Sequence, residues 1–359
     1  MRAFISDCEG PISKNDNAFE LTAQCVPGGD RLFTVISRYD DVLADVLKRE
    51  NYKAGDTLKL ILPFLKAYKV TNKTMQDFSA KSLVLIPHVK EALRHIRRIA
   101  QAFIVSTSYE HYIRALCEAI DFPYLNTYST RVDLDRYELE AGEEEGLKRL
   151  AQEISGMPII EIPPRAKSLE DFPEEYRRAV KRLDDIFWKE IAGMKIGKLL
   201  NEVNPVGGYE KAEAVRDAAK RANVGLEDVI YVGDSITDVE AFRLVKNHGG
   251  LTVSFNGNRY AIREAEVAVL SESSLVTSVI AELFAFHGKG GTLEILERWG
   301  REALRKCNVS KELLEKVFSI FPERLPKVEL ITDENVETLT LESEEFRKRV
   351  RGEVVGGLG

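Results

Sequence analysis

The sequence predicts an α/β protein built on a Rossmann-like parallel sheet with helices on both faces, and three observations predict it. Short apolar runs stop at polar chemistry: Ala3-Phe4-Ile5-Ser6 at Asp7-Cys8-Glu9-Gly10, Ala102-Phe103-Ile104-Val105 at Ser106-Thr107-Ser108, and Val229-Ile230-Tyr231-Val232 at Gly233-Asp234. Helical patterns precede the second and third runs, over 87–99 and 209–221. Strand alternating with helix implies parallel pairing, which brings the carboxyl ends of neighbouring strands to one edge. In open α/β sheets that edge is where ligands bind.

The elements follow in order. After the first strand, about ninety residues precede the second, far more than a crossover needs. Ile36, Tyr39, Leu43, Val46 and Leu47 recur at helical spacing, and 58–68 forms another apolar helix interrupted by Pro63. Residues 16–84 therefore read as a helical cap over the crevice, a lid that excludes water and reads the substrate. The second strand ends at Ser106, and Thr107-x-x-Glu110 has the pattern of a capping box for the next helix. Residues 121–204 form a second insertion, read as α+β. It has strand-like alternation over 128–135, an acidic run over 138–145 that suits a solvated face, and a break at Pro163-Pro164. Arg131 is its candidate for substrate contact. The core is assembled from 1–15, 85–120 and 205–285. Residues 286–359 read as a charged helical extension, with amphipathic helices over 291–307 and 310–321 and a frayed glycine-rich end over 352–359.

The chemistry lies in the third strand's ending. Asp234 sits at the strand's carboxyl end and Asp238 follows on the first helical turn, so both carboxylates face one small volume. Hard oxygen ligands in that arrangement suit Mg²⁺. Asp7 and Glu9 reach the same edge. Like charges about 4 Å apart cost on the order of 4 kcal/mol at an effective dielectric of ~20, so such a cluster calls for a cation.

Asp7-x-Glu9-Gly10, Ser106 after a strand, Lys211 at a helix start, and Gly233-Asp234-Ser235-x-x-Asp238, in that order, resemble the four motifs of the haloacid-dehalogenase-like (HAD) hydrolases. The stretch 251–257 followed by 265–270 is similar to the tail of that core in phosphoserine-phosphatase-type members. Within the superfamily the chain is most similar to an archaeal subgroup that includes the R subunit of energy-converting hydrogenase A. The resemblance implies a Mg²⁺-dependent phosphohydrolase acting on a small phosphorylated metabolite through an aspartyl-phosphate. It makes Asp7 the nucleophile and Glu9 the acid and base. Ser106 and Lys211 would bind the phosphoryl group, and Asp7, Asp234, Asp238 and the backbone carbonyl of Glu9 would hold the metal. Lys195 and Lys198 compete with Lys211, whose place after Gly207-Gly208 at a helix start favours it.

Two positions depart from the family pattern. Glu9 stands where the family has Asp and shifts the carboxyl by about 1 Å, a displacement that can cost ~10²-fold in rate. Pro11 stands where the family has Thr or Val and removes an amide donor from the loop. These departures, with the double insertion and the charged C-terminus, motivate the alternative of a non-catalytic or regulatory accessory subunit of a larger complex, a hydrogenase among the candidates.

Composition bounds the rest. The chain has 359 residues and a formal net charge of -7, which offers no basic footprint for nucleic acid. Cys8, Cys25, Cys117 and Cys307 form no Cys-x-x-Cys pair and no zinc spacing, as expected of free thiols in a reducing compartment. No apolar run approaches the ~18 residues of a membrane span, and the first strand begins almost at Met1, leaving no room for a signal peptide. The expectation is a cytoplasmic protein without membrane insertion, partnered as a homodimer or within a protein complex.

Overall fold

A computed structural model describes residues 2–358. Its centre is one seven-stranded sheet in the order β3-β2-β1-β4-β5-β6-β7. The strands are β1 (Ala3–Ser6), β2 (Gln101–Tyr109), β3 (Thr127–Thr130), β4 (Val229–Gly233), β5 (Leu251–Phe255), β6 (Val267–Leu270) and β7 (Lys327–Leu330). All neighbours are parallel except β6 and β7. The expected α/β architecture is what forms.

Strand alternation explains why those runs are apolar throughout. Phe4, Ala102, Ile104, Ile230 and Val232 face one layer, which includes Val89, Leu93 and Ile96 of the helix Val89–Ile99 and Val276, Val279 and Leu283 of the helix Leu275–Leu296. Ala3, Ile5, Phe103, Val105, Val229 and Tyr231 face the other, with Val215 of the helix Tyr209–Ala222 and Phe242 of the helix Val239–Asn247. Covered on both sides, parallel strands carry continuous hydrophobic runs rather than a polar face.

The long segment after β1 is helical, with Asn17–Cys25, Gly29–Asp41, Thr57–Ala67 and Asn72–Ser82. Asp16 caps the first helix by accepting from the Phe19 N–H, and Thr71 caps the fourth by accepting from the Thr74 N–H. Of the strand-like stretch 128–135, residues through Thr130 form β3, which joins the central sheet beside β2. Its continuation is helical, chiefly Glu143–Ser155 and Glu174–Asp185. Phe33, Ile36, Tyr39 and Ile61 pack with Leu147, Ile154, Val180, Leu183 and Phe187, so the residues on either side of β2 share one apolar core.

The C-terminal segment departs from expectation in two ways. It adds β7 to the sheet, and its last described residues are not frayed: a helix Val336–Arg351 is followed by the turn Glu353–Gly356, and Leu358 is buried, while Gly359 lies outside the described residues. Among the described residues no helix is long and apolar enough to cross a membrane.

Candidate active site

Register places the first two acids side by side. Ser6 pairs with Val232 and the Asp7 N–H donates to the Val232 carbonyl at 2.8 Å, so Asp7 and Asp234 leave adjacent strand ends together. One carboxylate oxygen each from Asp7, Asp234 and Asp238 fall within 4.8 Å of one another, and all three side chains are buried.

Lys211 is fully buried, and its Nζ lies 2.6 Å from Asp7 Oδ2 and 2.7 Å from Asp238 Oδ1. Burial works against its charge, but Asp238 and Asp7 outweigh that and hold its pKa above the ordinary lysine value. Its helix can begin there because position 207 has no side chain: a Cβ would lie 2.2 Å from the Ala54 carbonyl oxygen. Lys195 instead pairs with Glu138 at the surface, and Lys198 lies over the Tyr137 ring.

Asp238 is expected among the metal ligands, and it lies in the cluster with both oxygens engaged. Oδ1 also accepts from the Tyr231 hydroxyl at 2.6 Å, and Oδ2 accepts from the amides of Asp234 and Ser235 at 2.9 and 3.0 Å. Those bonds fix the carboxylate that fixes Lys211. Gly233 permits the approach, since a Cβ there would lie 2.5 Å from Asp238 Cγ.

Asp7 Oδ1 accepts from the Cys8 amide at 2.6 Å. Burial pushes the Asp7 pKa up to about 7; Lys211 opposes the rise, and the neighbouring Asp238 and Asp234 add to it. Glu9 accepts from the Asn17 amide at 2.9 Å, and burial, with Asp16 nearby, pushes its pKa up to about 8. Gly10 has φ +105°, and a Cβ there would lie 2.1 Å from Asp234 Oδ2, so glycine is required by both backbone and space.

The second strand sets Ser106 and Thr107 in different surroundings. Ser106 is buried, and its Oγ accepts from the Ser108 amide at 3.1 Å. The neighbour Thr107 lines the cavity beside Asp7, and its Oγ1 is buried with no hydrogen-bond partner among the described residues. Thr107 is not the helix cap that its capping-box pattern suggests, because β2 runs on to Tyr109 and the helix Glu110–Ile120 starts without a side-chain cap. The exposed Arg131 does not line the cavity.

Two residues at the site escaped the sequence. Arg347 and Arg351 of the helix Val336–Arg351 both donate through Nη1 to Asp234 Oδ2, the latter at 3.1 Å. Neither side chain is exposed by more than 5%. The cavity between these groups and the helices after β1 has a volume of about 90 Å³.

The sequence profile of the haloacid dehalogenase-like hydrolases matches residues 90–282. The chain belongs to that family. The matched span contains Ser106, Lys211, Asp234 and Asp238 of this HAD-like hydrolase, while Asp7 lies outside it and is brought in by β1. Among solved structures, a gene product of Archaeoglobus fulgidus is 26% identical, with a TM-score of 0.80 over 100% of this chain and 99% of that one. A phosphoserine phosphatase in its apo form is 12% identical, with a TM-score of 0.46 over 76% of this chain and 94% of that one. No curated protein matches the chain significantly.

Proposed function

We propose that this HAD-like hydrolase is a cytoplasmic Mg²⁺-dependent phosphohydrolase that cleaves a small phosphomonoester through an aspartyl-phosphate. The observation that carries the reading is the Lys211 ammonium held between Asp7 and Asp238, with Asp234 alongside, at the carboxyl ends of adjacent parallel strands.

The donor set fits the ion: Asp7 and Asp234 offer hard carboxylate oxygens in one buried space, and the Glu9 carbonyl belongs to the same loop. Bound there, Mg²⁺ would supply charge neutralisation to the phosphoryl oxygens and favour the ionised form of Asp7. The chain's own residues do the rest. An Asp7 carboxylate oxygen forms a bond to phosphorus as the ester P–O bond breaks. Glu9, still protonated near neutrality with its pKa of about 8, gives its proton to the departing oxygen. The resulting carboxylate takes a proton from water as that water attacks phosphorus, and the P–O bond to Asp7 breaks to release phosphate. Lys211 balances charge on Asp7 throughout, which is the kind of electrostatic stabilisation phosphoryl transfer depends on. Thr107 Oγ1, unpartnered at the cavity wall, is free to donate to a phosphoryl oxygen.

The test is turnover of p-nitrophenyl phosphate and a panel of metabolite phosphates, with Mg²⁺ and with EDTA. Metal-dependent release of phosphate supports the reading, and failure across the panel by a folded, metal-binding protein rejects it.

A second reading, a non-catalytic accessory subunit such as one in a hydrogenase complex, is favoured by the capture of Asp234 by two arginines. Isolation from native extract separates the two. A stable hetero-complex without turnover supports the accessory role, and an active lone chain or homodimer rejects it.

A further inference from the structure

We propose that the helix Val336–Arg351 is a strap that closes the active site by placing its own guanidinium groups against Asp234, so that helix docking and divalent-cation binding exclude one another. The proposal rests on the phosphohydrolase reading for the cation's purpose, and on geometry for the exclusion.

Charge balance comes first. Asp7, Asp234 and Asp238 form the acidic cluster, and the groups paired with it are Lys211, Arg347 and Arg351. Within that cluster three carboxyl groups meet three buried cations, and Glu9 and Asp16 line the same cavity, so much of the charge that a metal would neutralise at Asp234 is met from within the chain. Adding a divalent ion at Asp234 Oδ2 would set it against two guanidiniums in a space with little water to screen them.

The arginines are also committed elsewhere. Arg347 Nε donates to the Gly356 carbonyl at 3.1 Å, and its Nη1 also reaches the Asp234 carbonyl at 3.2 Å. Arg351 Nε and Nη2 donate to the carbonyls of Lys14 and Asn15, both at 2.9 Å. Donors spent on main-chain carbonyls leave little for a substrate, and they tie the strap to the loop that follows Asp7.

Space gives the same answer. The cavity volume of about 90 Å³ falls well below the ~300–1,000 Å³ of small-molecule sites, and Val355 and Leu358 beyond the helix are among the residues that line it. A phosphomonoester with any organic group needs that wall to move.

Apart from its two arginines, the strap's hold on the core is small. Leu339 joins a small buried apolar cluster with Ile262, Ala268 and Leu270, with Val336 and Phe346 packed beside it and Val350 against the main core; Ser343 Oγ donates to the Gly257 carbonyl at 2.6 Å, and Glu344 accepts from the Arg259 amide at 3.1 Å. Of its outer ion pairs, Arg349–Glu272 and Arg263–Glu337 are solvent-exposed and individually weak, and Lys327–Glu342 is half-buried on the lysine side. Withdrawal would free Asp234 and open the cavity in one motion.

Two measurements on the full-length chain test this. Amide hydrogen exchange of the wild type across 336–358 is followed with and without Mg²⁺. Mn²⁺ affinity is measured by electron paramagnetic resonance for wild type and for R347M/R351M. Linkage requires that if the strap opposes the ion, the ion opposes the strap to the same degree. The expected results are faster exchange across 336–358 with Mg²⁺ and tighter Mn²⁺ binding in the variant by about 5- to 150-fold, the usual span of such couplings. Binding by the variant alone also supports the strap. Unchanged or slower exchange on ion binding overturns it, as does equal affinity or a failure of both proteins to bind. The wild-type exchange result stands even if the variant does not fold. Release of the strap with ion binding but no phosphate-ester turnover would leave the strap in place and reject the hydrolase reading instead.

Discussion

Lys211→Met removes the positive charge between Asp7 and Asp238 while keeping an unbranched apolar stem in the same space. In the native chain the ammonium is 2.6 and 2.7 Å from the two carboxylates, and the Lys211, Asp7 and Asp238 side chains are 0%, 7% and 0% exposed. Each contact is worth on the order of 4 kcal/mol at 4 Å and an effective dielectric of ~20, and the lysine's own desolvation offsets much of that gain. Breaking a buried pair by deleting one partner typically costs about 3–5 kcal/mol, because the remaining charge has lost its compensation. Against a total stability of roughly 5–15 kcal/mol, the loss would be evident in urea unfolding followed by circular dichroism. The pH dependence has a definite sign. Burial already lifts the Asp7 pKa to about 7 with Lys211 holding it down, and without the lysine it rises further. A carboxyl with a raised folded pKa contributes stability below its unfolded value of 3.8, which is lost as pH rises through the folded value. The variant's deficit should therefore be largest at pH 8 and shrink toward pH 5. A deficit below about 1 kcal/mol at pH 8, the same at both pH values, would refute the claim that the lysine neutralises this cluster.

Three further substitutions probe the surroundings. Asp40 accepts from the Tyr52 hydroxyl and the Gly55 amide, and burial, with Asp56 nearby, pushes its pKa up to about 8. Wild type should lose about 1.4 kcal/mol per pH unit relative to Asp40→Asn as pH rises toward 8, and equal melting differences at pH 5 and pH 8 would contradict this. Thr107→Val breaks no hydrogen bond in the described structure, so urea midpoints should shift by less than about 1 kcal/mol while turnover falls up to about tenfold; unchanged turnover would remove Thr107 from phosphate binding. Gly10→Ala forces a Cβ to 2.1 Å from Asp234 Oδ2 at φ +105°, which should cost at least about 1–3 kcal/mol and weaken Mn²⁺ binding, and wild-type affinity in that variant would argue against Asp234 as a ligand.

What the sequence made legible is tied to strand ends. Asp7, Ser106 and Asp234 follow apolar runs whose pairing is dictated by the alternation of strand and helix, so the fold and the approach of Asp7 to Asp234 could be read directly. Lys211 was readable because the glycines before it mark a helix start. Thr107 was misread because a capping-box pattern is local, whereas the extension of β2 to Tyr109 depends on pairing with β3, a partner about twenty residues away. Arg347 and Arg351 lie in a run of charges that looks like a solvated helix, and nothing local says that their face is buried on Asp234. The terminal glycines read as frayed, yet Gly356 is packed so closely that a Cβ would lie 2.7 Å from Lys348 Cα, and its carbonyl anchors Arg347. Short β7 offers four residues of weak alternation, too little to separate an edge strand from a loop.

Trapping the covalent intermediate tests the central claim most directly. Wild type and R347M/R351M are incubated with p-nitrophenyl phosphate and Mg²⁺, quenched in acid, reduced with borohydride and mapped by peptide mass spectrometry. The account predicts conversion of the Asp7 side chain to that of homoserine, with more in the variant than in wild type. Phosphate release with Asp7 unmodified, or modification at another carboxylate, would contradict it.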